Sequence, residues 1–195
     1  MIYDTLYNSP TGLKTTGLAV AAYLLIAHVV GLVKAESVKS GLKSFPRNLI
    51  AGRVLLGLVA VWCYGLFQGL GPIPKMSMGE FWHLREMLTW GVVIGAVLVA
   101  FFADEFLSVR ALGCLMLLSA CVILDAAFLK EPTSRLLIVV FAYAAIIKGL
   151  FFVGMPYLFR DAVTWVTADE KRWKFGMLAG LAYGVVVLLA ALLWY

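Results

Sequence analysis

Lys148 is the residue most able to do chemistry in this chain, because it stands in the middle of an apolar run, Leu136 to Leu158, twelve residues from one end and ten from the other. A cation placed mid-way along a lipid-facing helix costs about 2.5–3.5 kcal/mol on insertion scales, so it requires a carboxylate, a carbonyl or water. The chemistry this allows is an ion, proton or anionic-ligand site. The structural alternative is a lysine satisfied between helices or across a subunit interface. Asp125 is the obvious acidic partner. In an antiparallel hairpin turning near Pro132, however, the two residues differ in depth by roughly 13 Å. A water-linked pair, or Lys148 bonded to backbone or to another helix, is therefore expected, with Asp125 solvated or locally bonded one turn from the apolar edge.

Asp104 and Glu105, followed by Arg110, interrupt the apolar stretch from Met87 to Leu129. As a carboxylate pair they could form a cation or proton entrance. As a charged turn they would cap the helix that follows, where acidic groups suit the positive dipole end, and the turn explains the interruption better. A haem held within one chain usually needs two axial ligands facing one cavity. The two histidines, His28 and His83, fall toward opposite ends of the expected bundle. That leaves His28 as a ligand for haem or chlorin with help from another subunit, or as a hydrogen-bonded interhelical residue. Cys63, Cys114 and Cys121 all lie in apolar runs and read as small hydrophobes. No paired Cys/His metal spacing, phosphate loop, dinucleotide fingerprint or serine-nucleophile motif occurs, so an enzyme is not expected, and the identity of any cofactor is left open.

The most specific pattern is glycine at four-residue spacing: Gly176, Gly180 and Gly184 in the last apolar run, with the pairs Gly65/Gly69 and Gly91/Gly95 earlier. Such faces let helix backbones approach closely where no hydrophobic force separates helix from lipid. They predict tight packing within the chain or a homo- or hetero-oligomer.

The elements that must position these residues follow from composition. Of 195 residues, 63% are hydrophobic and 14% charged, with a mean hydropathy of +0.96. A soluble domain carries about 45–50% and 25%, so the natural solvent of this chain is lipid. A single all-α transmembrane domain over residues 1–195 is expected, with six spans near 13–33, 49–70, 88–103, 107–129, 136–158 and 170–194. Ser77 and Glu80 have capping-box spacing and open a short amphipathic interfacial helix, Glu80–Thr89, flanked by Trp82 and Trp90. A second capping box is expected at Thr167/Glu170. The segment 34–47 reads as a basic loop and the cluster from Arg160 to Arg172 as a solvated one. Met1–Tyr7 lacks a positive n-region, so no secretory signal is expected. Phe101-Phe102…Arg110 and Phe151-Phe152…Arg160 share a spacing, most simply through interface preference rather than duplication.

If the spans alternate, ten cations (Lys34, Lys39, Lys43, Arg47, Arg53, Arg110, Arg160, Lys171, Arg172, Lys174) share one side and five the other, with Lys148 between. The richer side is expected to be cytoplasmic, with both termini opposite, in a bacterial-type plasma membrane. The net charge of +5 then has a topological source and nucleic acid is not an expected partner. The leading functional expectation is an accessory or scaffolding subunit of a membrane assembly. The alternative is a small transporter or channel using Lys148 with acidic partners, and a haem- or chlorin-binding subunit through His28 comes third.

Overall fold

The computed structural model describes residue 3 and residues 8–70, 73–102 and 105–195, and within them the protein is helical with no strand. Eight α-helices follow in order: α1 (Gly12–Val33), α2 (Ala35–Ser44), α3 (Leu49–Gln68), α4 (Arg85–Phe102), α5 (Leu107–Ala127), α6 (Leu136–Gly154), α7 (Tyr157–Thr167) and α8 (Glu170–Leu193). Among the described residues six helices are long and apolar enough to cross a membrane: α1, α3, α5, α8, α4 with the 3-10 segment before it, and α6 with the turn before it.

Local chemistry sets the boundaries. Asn48 caps α3 by accepting from the Ala51 amide, and Gly69, at φ +78°, lets the chain leave its other end. Arg85 closes that same end, donating to the carbonyls of Phe67 and Met76 at 3.0 and 2.9 Å, where orphan acceptors favour a cation. Pro156 has no amide to continue the ladder, so α6 stops at Gly154 and a separate helix starts at Tyr157. The fifth span is thus four residues shorter than its expected end at 158. Lys148 consequently sits six residues from the end of its helix rather than at its centre.

Other boundaries also differ from expectation. Residues Gly79–Leu84 form a 3-10 segment that winds directly into α4, in place of a separate amphipathic helix, and Ser77 forms no capping bond there. Gly79 at φ +53° tightens this entry. The cap of α8 is Asp169, which accepts from Lys171, instead of Thr167, whose hydroxyl is spent on the Val163 carbonyl. The cap of α5 is Phe106 in a left-handed conformation with no side-chain cap bond, and its first turn contains no acidic residue. Glu105 is exposed ahead of it, and Asp104 lies outside the described residues.

Packing joins neighbouring helices, antiparallel in α1/α8 and α5/α6 and parallel where Gly52 at the start of α3 meets Leu107 and Ser108 at the start of α5. α1 runs along α8, α5 along α6, and α3 joins α5 on one side and α4 on the other. The α1–α8 seam is built on small residues: Gly17 beneath the Tyr195 ring, Gly184 against Leu24, Gly180 against His28 and Gly31 against Met177. Trp173, 2% exposed, donates to the Gly31 carbonyl at 3.1 Å and locks the far end. In the α5–α6 pair the backbones touch, since a Cβ added at Gly113 would meet the Gly149 carbonyl at 2.8 Å and one added at Gly149 the Gly113 carbonyl at 2.9 Å. The shared core gathers Leu13, Val20 and Leu24 of α1, Ala120 and Ile123 of α5, Ile138 and Ala142 of α6, and Val187 of α8.

Both chain ends sit at one end of the bundle. The Tyr195 hydroxyl donates to the Ser134 carbonyl at 2.7 Å, and Lys130 reaches the Ser9 carbonyl at 3.4 Å, so both ends meet the α5–α6 turn. Burial, then the neighbouring Tyr183, pushes the Tyr195 phenol up to about 12. The opposite end carries α2 and α7, the two amphipathic helices. Each presents apolar residues at i, i+4 and i+7: Val38, Leu42 and Phe45 from α2 and its following turn, and Phe159, Val163 and Val166 from α7. Phe45 and Phe159 stack at 5.7 Å, and Phe152 of α6 meets Phe159 edge-on at 5.2 Å. This ties Phe152 into the bundle, whereas Phe101 and Phe102 stand exposed, so the two Phe-Phe…Arg stretches occupy different settings.

Candidate functional site

Lys148 projects from the outer surface of α6 and is exposed, with no hydrogen bond or ion pair to any described residue. Its neighbour Gly149 is pressed on Gly113, which puts Lys148 level with the first third of α5. Asp125 is twelve residues farther along α5, about 18 Å at 1.5 Å per residue. The structure does not bring the two together.

Asp125 has other work. Its carboxylate accepts from the Tyr3 amide at 2.8 Å, and the Tyr3 hydroxyl accepts from Trp62 Nε1 of α3 at 2.6 Å. Tyr3 is only 6% exposed. Burial raises its phenol above the ordinary value, with the Trp62 bond opposing. The cluster is a clasp: a carboxylate on α5 and an indole on α3 hold Tyr3 between them. Sequence reasoning missed Tyr3 and Trp62, because nothing in their spacing signals a contact spanning 59 residues.

His28 fills the space that Gly180 leaves. Its Nδ1 lies 2.6 Å from the Leu24 carbonyl, which can only accept, so Nδ1 is the donor of this bond. A Cβ on Gly180 would collide with Nε2. The nitrogen that would ligate a metal therefore faces the α8 backbone, and a macrocycle would require the two helices to part. Among the described residues no three of His, Cys, Asp and Glu converge as a metal site.

The remaining glycines divide by surroundings. Gly65 is covered by Ile73 from the returning linker, and Gly69 serves its turn. Around Gly176, Gly91 and Gly95 no atom lies within 4 Å of an added Cβ. The last two belong to α4, where Thr89 alone among the described residues is buried. Met87, Trp90, Ile94 and Leu98 surround the two glycines on the outward face, each more than half exposed. At the end near the termini α4 is fastened by Gln68 donating to Thr89 at 3.1 Å. Farther along, α3 and α4 enclose an apolar cleft of about 490 Å³, lined by Gly57, Ala60 and Tyr64 on one side and Val93, Ala96 and Ala100 on the other.

At the opposite end the cations collect between α2 and α7. Lys39 pairs with Glu36 at 3.0 Å and lies 5.7 Å above the Trp173 ring, while Arg160 pairs with Asp161 at 3.0 Å. Arg172 stacks 4.6 Å from the Trp165 ring. The expected solvated loop at Arg160 is instead helical, as is most of the basic segment 34–47, and the i, i+4, i+7 apolar spacing is the sequence signal for both helices. Comparison with family models, with curated proteins and with solved structures finds no match for the chain.

Proposed function

We propose that the protein is an integral membrane subunit without catalytic activity, which docks another subunit's transmembrane helix on the open face of α4. The observation that carries this reading is Gly91 and Gly95, bare on a helix of which almost nothing is buried by its own chain. In lipid, such a face gains packing only from another helix. The ten cations gathered at the α2/α7 end favour that end as cytoplasmic, with both termini on the other side of a bacterial-type plasma membrane. The amphipathic α2 and α7 then lie in the headgroup plane.

Because both glycines face open space, leucine there leaves the bundle intact. Gly91→Leu/Gly95→Leu is expected to reduce the size of the particle extracted in mild detergent, read by light scattering, at an unchanged unfolding temperature. An extracted particle of the same mass before and after removes α4 as the docking face. Gly180→Leu is unsuitable for this purpose, since it strikes His28 inside the chain.

A second reading, a small transporter or channel, rests on the outward position of Lys148. Under it, Lys148→Met abolishes flux in proteoliposomes while leaving expression intact. Under the subunit reading, in which the partner lies on α4, the same change on α6 leaves the extracted particle at its native size. Persistence of both flux and particle size would leave Lys148 as a side chain whose stem carries its ammonium to the nearer helix end, about 9 Å away.

A further inference from the structure

We propose that the seam between α2, the turn Phe45–Arg47 and α7 is a binding site for a phosphate group. A partly open hollow of about 240 Å³ lies there, with Lys43, Arg47 and Arg160 on its walls and an apolar floor of Leu42, Pro46 and Phe106. A second, wider hollow of about 630 Å³ continues from it, and Lys43 and Arg47 line both. Among the residues lining these two hollows the charge balance is one-sided, with Glu105 sharing only an adjoining cleft with Arg47. Glu36 is taken by Lys39 and Asp161 by Arg160, whereas Lys43 and Arg47 have no ion pair or side-chain hydrogen bond to any described residue.

Three of the four hydroxyls lining the two hollows are spent as donors, Ser40 being the fourth. Ser44 bonds the Gly41 carbonyl, Thr164 the Arg160 carbonyl and Thr167 the Val163 carbonyl. What remains is a planar guanidinium and an ammonium converging over an apolar floor, which suits a phosphate oxyanion carried on an apolar or glycerol stem. A neutral polar ligand would find no free hydroxyl donor from those three side chains. The general accumulation of cations on one side of a membrane protein explains their number. It does not explain why two unpaired ones share a walled hollow, and basic pockets at this level are how anionic headgroups are held. The group is carried by an anionic phospholipid or by a free phosphorylated solute; the first source rests on the membrane reading above, the site itself does not.

The test uses the full chain in detergent with phosphatidylglycerol, phosphatidylcholine and inorganic phosphate as probes. Native mass spectrometry is expected to show retained phosphatidylglycerol in preference to phosphatidylcholine, and Lys43→Gln/Arg47→Gln should weaken this roughly 10- to 30-fold. The control Lys171→Gln/Lys174→Gln removes the same charge on α8 and should change it less than about twofold, as both lie outside the hollow. Inorganic phosphate binding that is lost in the first variant, without lipid preference, supports the site and assigns it to a soluble ligand. Equal losses in both variants, or no binding of any probe, overturns the proposal. The swap Lys43→Arg/Arg47→Lys should retain binding, which separates a lost site from a lost fold.

Discussion

Gly149→Leu is expected to destabilise the folded bundle by about 3 kcal/mol or more, at the upper end of what overpacking costs. The reason is that the obstacle is backbone. A side chain at 149 meets the Gly113 carbonyl and Leu117, and neither the carbonyl nor its helix can rotate away. α5 and α6 would separate, and the contacts of Ala120, Ile138 and Ala142 with the shared core would loosen together. Intrinsic tryptophan fluorescence on heating in detergent measures this. Gly91→Leu, on open space, is the matched control and should melt with the native protein. Equal unfolding temperatures for the two variants would mean the close crossing contributes nothing to stability.

Asp125→Ala is expected to cost about 1.5–3 kcal/mol, the range for losing a hydrogen bond to a charged group and leaving its partner unsatisfied. The loss is local. The Tyr3 amide loses its acceptor, and Tyr3 should detach from α5. Hydrogen exchange and limited proteolysis should therefore change near Tyr3 while α1 and α8 keep their protection. Tyr3→Phe, which removes only the hydroxyl bonded to Trp62, should cost about 1 kcal/mol and release this residue partially. Full protection of Tyr3 in Asp125→Ala would show that the clasp is not what holds it.

The sequence was informative where one-dimensional pattern dictates the outcome. Uninterrupted apolar runs bounded by Gly69, by Lys130-Glu131-Pro132 and by Asp169-Glu170 specify six long helices, since backbone groups in an apolar setting must pair within their own segment. It was less informative where partners are distant in the chain. Gly113 and Gly149 carry no four-residue repeat, so neither announced the backbone contact between α5 and α6. The repeat that did stand out, Gly176/Gly180/Gly184, is used at two positions and open at the third, because the face packed on α1 runs through Trp173, Met177, Gly180 and Gly184 and leaves Gly176 to one side. Lys148 was legible as a costly charge but not as an outward one. Its direction depends on which face of α6 Gly149 and Ala145 bury. The acidic turn at 104–105 was read as a helix cap, yet the chain enters α5 through a left-handed Phe106, a backbone solution that side-chain types do not reveal.

The pairing of α1 with α8 carries a consequence for biosynthesis. The two halves of that seam, Gly31 and Trp173, are separated by 142 residues of chain. While a ribosome is still making the intervening hairpins, α1 has no permanent neighbour for its small-residue stripe, and Tyr3 has no Asp125 to grip. The α1–α8 seam is therefore back-loaded: α1 meets its partner stripe only once α8, the last of the described helices, has been made.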